Sequence, residues 1–289
     1  MLTNLLARMR YPVVGLGLLW SLSANADLKL NMTEGVTTIS HQVYHLHMTI
    51  LWICVAIGIV VFGTMFYSIY HHRKSKGAVP AHFHESTKVE IVWTVIPMLI
   101  LIFMAVPATR TLINLEDVSK PDLTIKVTGY QWKWSYDYLD EGISFFSTLS
   151  TPADQIYNLA PKDKDYLLEV DNPLVVPVGK KIRILTTGAD VIHSWWVPSL
   201  GWKRDAIPGF INESWTLIEK PGVYRGQCAE LCGKDHAYMP IVVVAKTQEE
   251  YRQWVESKKA AKTASQNIGN VGTAMANAPV QPVPVATAQ

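Results

Sequence analysis

Two runs without an Asp, Glu, Lys or Arg constrain this chain more than any other feature: His47 to Tyr70, HMTILWICVAIGIVVFGTMFYSIY, and Ile91 to Thr109, IVWTVIPMLILIFMAVPAT. A helix rises about 1.5 Å per residue and a bilayer core is about 30 Å thick, so each run is long enough to cross. Both are expected to be membrane helices forming a hairpin; the alternative is a pair of buried core helices. Pro97 and Pro107 would break a helix in water, but neighbours in a membrane bundle satisfy the freed carbonyls. The connector HHRKSKGAVPAHFHESTK carries Arg73, Lys74, Lys76 and Lys88 against one acid, whereas Lys29 is the only basic residue of the segment before the first helix. The positive-inside rule therefore puts the connector in the cytoplasm and both ends of the hairpin outside. His71, His72, His82 and His84 in that connector read as a solvated basic loop in preference to a metal site.

The first 26 residues have a basic start at Arg8 and Arg10, an apolar middle and an Ala24-Asn25-Ala26 exit. This is the pattern of a secretory signal cleaved before Asp27, with an uncleaved anchor as the alternative. Among 289 residues the net charge is only +2, which predicts no nucleic-acid partner. From Pro107 to Ala260 about twenty acidic residues face about eighteen basic ones, so the exported part is close to neutral.

After Thr109 the pattern changes to short β-rich runs, LTIKVTGYQWKWSYDY, YLLEVDNPLVVPVGKKIRILTTG, ESWTLIEKPGVYRGQC and MPIVVVA, separated by Pro, Gly, Asp and Asn. They predict a compact antiparallel barrel or sandwich. TQEEYRQWVESKK follows as one short amphipathic helix. The Ala-, Pro-, Asn- and Gln-rich end cannot bury enough surface to order itself. The expected organisation is a signal peptide over 1–26, an N-terminal segment and transmembrane hairpin over 27–112, an exported β domain over 113–260 and a disordered tail over 261–289.

The chemistry is concentrated in CAELCGKDHAYM, Cys228 to Met239, which holds two of the chain's three cysteines, a carboxylate, an imidazole and a thioether. Cys54 lies in the first apolar run and reads as an inert core or lipid-facing residue. A disulfide between Cys228 and Cys232 suits an exported protein but gives His236 and Met239 no task. Zinc rarely takes a thioether, and no second Cys or His pair lies nearby. Copper suits thiolate, imidazole and thioether together. A mononuclear site of two imidazoles, one thiolate and an axial methionine leaves one imidazole too few and one thiolate too many. His193, in ADVIHSWWVPSLGW, is the candidate for the missing imidazole. Two Cys, two His and one Met exceed what one low-coordinate ion needs and suit two coppers bridged by the thiolates, with the main-chain carbonyl of Glu230 completing the second.

HSWWVPSLGWKRDAIPG followed by GQCAELCGKDHAYMP resembles the binuclear copper A domain of cytochrome c oxidase subunit II. The likeness extends to GYQWKWSYDY and VEIVWTVIP and covers about residues 40 to 258. It implies a two-helix transmembrane hairpin followed by an all-β cupredoxin-like Greek-key barrel. It implies copper ligands His193, Cys228, Cys232, His236, Met239 and the carbonyl of Glu230. The side chain of Glu230 is further implied as a ligand of magnesium or manganese shared with the catalytic subunit, a hard ion that suits a carboxylate. Trp132 is implied as the side chain through which electrons pass from cytochrome c, while Trp134 and Tyr136 read as half-buried strand residues. Asp137, Asp140 and Glu141 flank that aromatic run and would attract a basic cytochrome c, and Asp190 matches another acid of the docking surface. Glu90, at the cytoplasmic start of the second span, is an interfacial carboxylate or the mouth of a proton path.

The resemblance implies a respiratory, proton-pumping oxidase subunit that takes electrons from cytochrome c and passes them to haem in catalytic subunit I, with subunit III and the lipid bilayer as further partners. The expected location is the bacterial inner membrane, with the copper domain on the periplasmic side. Without a CxxCH signature the chain carries no attached haem. Three rivals stand beside this reading. A quinol-oxidase subunit lacks the copper ligands, nitrous-oxide reductase lacks paired spans, and a copper-delivery or structural membrane protein binds metal without turnover.

Overall fold

A computed structural model describes residues 31–276 except 81 and 83, with side chains through 264. The expected signal peptide lies outside the described residues, as do residues 277–289 of the expected tail. The first long helix, α1, spans Thr38–His71, and the second, α2, spans Thr87–Glu116, so both overrun their apolar runs. Both are long and apolar enough to cross a membrane, and Pro97 and Pro107 lie inside α2 as expected. Their large apolar side chains, such as Phe62, Phe66, Ile102 and Phe103, are exposed, as is Cys54. This rules out the reading as buried core helices.

The extra turns have identifiable causes. At the start of α1 the Thr37 hydroxyl accepts from Ser40 N–H at 3.0 Å, and Ser40 Oγ accepts from Thr37 N–H at 2.9 Å. This reciprocal cap starts the helix nine residues before the apolar run. Thr37 also donates to Leu200 O at 2.9 Å, and Val36 N–H donates to Ser199 O at 2.9 Å, so the cap is seated on the β domain. The end of α2 is held likewise: Arg204 pairs with Glu116 at 2.8 Å, and Trp215 Nε1 donates to Asn114 O at 2.9 Å.

The β domain has ten strands in two five-stranded sheets. The first sheet contains β1 (Leu123–Tyr130), β2 (Lys133–Tyr138), β3 (Ile143–Ser147), β5 (Ile182–Gly188) and β8 (Asn212–Thr216), in the order β3-β2-β1-β5-β8. The second contains β4 (Leu174–Pro177), β6 (His193–Trp196), β7 (Lys203–Ala206), β9 (Gly222–Cys228) and β10 (Pro240–Lys246), in the order β4-β10-β9-β6-β7. The β1–β5 and β4–β10 pairings are parallel and the remainder antiparallel. In β1 the alternating Leu123, Ile125 and Val127 are buried, and in β5 Ile182 and Ile184 are. These period-two faces give the first sheet an apolar side to bury against the second, whose β4 and β10 are buried almost throughout. Trp134, Tyr136 and Tyr138 of one sheet and Trp195 of the other fill the core. Tyr138 OH donates to Val175 O at 2.7 Å and accepts from Val175 N–H at 2.9 Å, which links β2 to β4.

A short helix, α3, spans Ala153–Ile156, and the last helix, α4, spans Gln248–Ala276. Tyr251 and Val255 of α4 are buried on the barrel as the amphipathic pattern predicts. The helix does not stop near residue 259, however. Ala260, Ala261, Lys262 and Ala264 are strong helix formers and carry it on into the segment expected as a tail, where it runs to Ala276.

Candidate metal centre

The candidate ligand loop is an eleven-residue excursion, 229–239, between neighbouring strands. β9 ends at Cys228, β10 begins at Pro240, and Pro240 pairs with Gln227, so both ends of the loop are fixed by the same ladder. On the other side of β9, Trp195 of β6 pairs with Cys228, and Ala229 N–H donates to Ser194 O at 3.0 Å. This register delivers His193, the first residue of β6, to the cysteine. His193, Cys232 and Met239 are essentially excluded from solvent, Cys228 nearly so, and His236 is half-buried in a single 3-10 turn, His236–Tyr238.

Five donor side chains and one carbonyl converge here. The two Sγ atoms are 3.9 Å apart and both cysteines are free. A disulfide needs about 2.05 Å between sulfurs. Two metal–thiolate bonds of about 2.3 Å each span up to about 4.6 Å, so an ion bonded to both sulfurs fits this gap. Cys228 Sγ lies 4.0 Å from His193 Nδ1 and 3.3 Å from Glu230 O, while Cys232 Sγ lies 3.4 Å from His236 Nδ1 and 3.6 Å from Met239 Sδ. Each sulfur thus has its own flanking donors, one hard oxygen on one side and one thioether on the other. Among the described residues His193, Cys228 and Cys232 are the one group of three or more His, Cys, Asp or Glu close enough to share an ion. The connector histidines form no such group.

The surroundings orient these donors. Asp190 Oδ1 lies 2.9 Å from His193 Nε2, which places the ring proton on Nε2 and leaves Nδ1 free toward the cysteines. Trp134 Nε1 donates to Met239 O at 3.1 Å, and its ring meets His193 edge-on at 5.9 Å. Burial pulls the His193 imidazole down, but hydrogen bonds to Cys228 and Asp190 more than offset this, and its pKa is raised. Burial also raises Cys228, yet contacts with His193, Ser194, Glu230 and Cys232 hold it below the ordinary thiol value. Burial and the adjacent Cys228 push Cys232 up to about 12. The first thiolate therefore opposes the second until a cation arrives to take the proton's place.

Two glycines admit this packing. A Cβ at Gly129 would stand 2.7 Å from His193 Cδ2, so only a glycine lets β1 pass under the ring. Gly233, at φ +121°, holds a conformation that L side chains rarely adopt, and a Cβ there would stand 3.0 Å from the Trp132 ring.

Trp132, half-buried between β1 and β2, donates from Nε1 to Cys232 O at 3.3 Å, so its indole reaches the backbone of a candidate ligand residue directly. It also lines an open groove of about 510 Å³ with Ile156, Tyr157, Asp235 and Tyr238. Trp134 and Tyr136 are fully buried, beyond the half-burial expected for them. The acids separate. Asp190 lies at the centre, its other oxygen accepting from Gln131 N–H at 2.7 Å; burial raises its pKa, but these hydrogen bonds hold it below the usual carboxylate range. Asp137 accepts from Ser144 Oγ at 2.5 Å partway along β2. Asp140 and Glu141 follow the far end of β2, beyond Tyr138 and about 20 Å from Trp132 at about 3.3 Å per residue. Asp140 accepts from Thr124 N–H at 2.6 Å and Glu141 pairs with Lys259 at 2.5 Å. The acid beside Trp132 that the sequence reading missed is Asp235. The Glu230 side chain is exposed, and Glu90 is exposed in the first turn of α2.

Comparison with known proteins agrees with this construction. The chain matches the family model "Cytochrome C oxidase subunit II, periplasmic domain" over residues 123–246 and the corresponding transmembrane domain over 25–111. It is 44% identical over 227 residues to a probable cytochrome c oxidase subunit 2 of Rickettsia felis, covering 78% of this chain and 70% of that one. With cytochrome c oxidase subunit 2 of Cereibacter sphaeroides it shares 38% identity over 234 residues, 76% of this chain and 77% of the other. Among solved structures, the periplasmic domain of subunit II (CoxB) of Bradyrhizobium japonicum is 48% identical, covers 50% of this chain and 98% of its own, and superposes with a TM-score of 0.45. The hairpin, the cupredoxin-like β domain and the copper-type donor set are thus found together in one polypeptide, and the chain belongs to the cytochrome c oxidase subunit II family.

Proposed function

We propose that this chain is the copper-bearing, electron-accepting subunit of a respiratory cytochrome c oxidase. It takes single electrons from cytochrome c and passes them to haem in catalytic subunit I, where oxygen is reduced to water with proton pumping. The observation that carries the reading is the convergence of imidazole, thioether and carbonyl donors on two buried, unpaired thiols 3.9 Å apart. His193, Cys228, Cys232, His236, Met239 and the Glu230 carbonyl would hold a binuclear copper A centre. Bound copper supplies one-electron redox chemistry shared between two metals. The protein's part is to hold the donors in one arrangement: strand register fixes His193 and Cys228, and Asp190 and Trp134 restrain the ring and the methionine backbone.

Trp132 is the side chain that receives the electron, supported by its hydrogen bond to Cys232 O and its place in an open groove. Asp137, Asp140, Glu141 and Asp190 are the docking acids read from the sequence, and Asp235, which lines the groove with Trp132, joins them. The exposed Glu230 carboxylate would reach a magnesium or manganese ion shared with subunit I. Glu90, beside the basic connector, would open a proton path into that subunit. With the β domain periplasmic, the connector faces the cytoplasm of the bacterial inner membrane, and subunits I and III cover the exposed apolar faces of α1 and α2.

A metal count with near-infrared absorption and electron resonance on the purified chain tests the centre. Two coppers sharing one delocalised electron are expected. A single copper, zinc or a Cys228–Cys232 disulfide in the active complex would overturn the proposal.

A further inference from the structure

The sequence assigns no task to Gln131, and none of the copper ligands is its neighbour in the chain. The fold nevertheless puts it at the meeting point of three parts of the site. Its backbone N–H donates to Asp190 Oδ2 at 2.7 Å, while the other oxygen of the same carboxylate takes His193 Nε2 at 2.9 Å. Its side-chain Nε2 donates to Cys232 O at 2.9 Å, the same carbonyl that accepts the Trp132 indole N–H at 3.3 Å. One residue therefore ties the segment carrying Trp132 to one metal-ligating histidine through a shared carboxylate, and to one metal-ligating cysteine through a shared carbonyl.

We propose that Gln131 is a positioning residue for electron transfer, its amide holding the Trp132 indole against the Cys232 carbonyl. The proposal rests on the reading of Trp132 as the electron-receiving side chain. The longer of the two bonds is the indole's own, so Trp132 does not hold itself there alone. A carbonyl has two lone pairs and accepts both donors, so the two bonds support each other without competing. Gly233 closes the arrangement from the other side: a Cβ there would meet Trp132 at 3.0 Å and Gln131 Nε2 at 3.2 Å. Gln131 itself is exposed, so the amide is not there to fill the core. Its loss removes a hydrogen bond and leaves the strands on either side in place.

The test uses the intact oxidase with Gln131→Met, which keeps the side chain's length and removes its donor, and Gln131→Leu as a second variant. Displacing a reacting group by about 1 Å can cost about 100-fold in rate, so the fast phase of cytochrome c oxidation should fall roughly 10- to 100-fold. KM for cytochrome c, copper content and the near-infrared band should stay unchanged. In the copper-free full chain, hydrogen exchange at the Trp132 indole N–H, read by nitrogen-15 tryptophan spectra, should quicken about 10-fold in both variants. Trp132→Phe serves as the parallel arm. Unchanged oxidation and unchanged indole exchange in the Gln131 variants, with Trp132→Phe impaired, would overturn the proposal alone, as would a raised KM at unchanged fast-phase rate. Wild-type turnover in Trp132→Phe would remove the reading beneath it.

Discussion

Gly129→Ala is the sharpest test of how the fold builds the site, because it adds one methyl group far from the ligands in sequence. Gly129 lies near the end of β1, paired with Trp134 on one side and Gly188 on the other. Its φ is not in the left-handed region, so the backbone accepts alanine. The obstacle is the His193 ring, 2.7, 2.8 and 3.0 Å from the new Cβ. Opening the closest approach to an ordinary 3.4 Å contact needs a movement of about 0.7 Å. β1 cannot supply it cheaply, since ladders hold it on both sides. The ring must move, and it is fully buried against Trp134 and hydrogen-bonded to Asp190 at 2.9 Å. Metal–ligand distances tolerate about 0.2 Å, so the imidazole leaves bonding range. Overpacking of this kind costs about 1–3 kcal/mol, which lowers the melting temperature by roughly 2–12 °C. Purified full-length chain should show lost or altered near-infrared absorption and a lower melting temperature in the copper-free form. Gly63→Ala in α1, with nothing within 4 Å of the new Cβ, serves as the control and should leave both signals intact. A Gly129→Ala protein with two coppers, the parental spectrum and the parental melting temperature would refute the argument.

Copper loading should displace at least the Cys232 proton. With that thiol pushed up to about 12, affinity over pH 6–8 should rise about tenfold per pH unit, and a pH-independent affinity in competition titrations would count against the coupling. Asp171 accepts from Thr148 N–H at 2.7 Å and Thr148 Oγ1 at 2.9 Å. Burial raises its pKa, but these bonds prevail and lower it. A depressed carboxylate stabilises above its unfolded value of about 3.9 and loses that contribution as pH falls through the folded value. Asp171→Asn should therefore melt below the parent at pH 7 and match it near pH 2–3 in calorimetry. Glu90→Gln should slow proton uptake by the oxidase roughly 100-fold while the KM for cytochrome c holds, and a changed KM with normal uptake would move Glu90 out of the proton path.

The membrane hairpin was legible because a bilayer imposes a length and a composition. Its true ends were not, because Thr37, Ser40, Asn114 and Glu116 extend the helices through bonds to partners as far away in sequence as Ser199 to Trp215. The ligand loop was legible because its donors are close in sequence and chemically uncommon in company. His193 was reachable only by counting donors, and the β6–β9 register is what brings it home. Gln131, Gly129 and Asp235 carried no local signal, since glutamine, glycine and aspartate are ordinary residues until the sheets close around the loop. Asp140 and Glu141 stand close to Trp132 in sequence, but the extended β2 strand carries them to its far end.

The seating of the β domain on its hairpin has a further consequence. Thr37 bridges to Ile218 and caps α1 while holding Leu200, and Arg204 and Trp215 grip the end of α2, so the domain stands on two legs clamped at separate points. Tunnelling between redox centres decays exponentially with separation, so a head free to rock on a flexible neck would spend most of its time out of range. Contacts to both helices oppose such rocking, so the hairpin would serve as a ruler as well as an anchor.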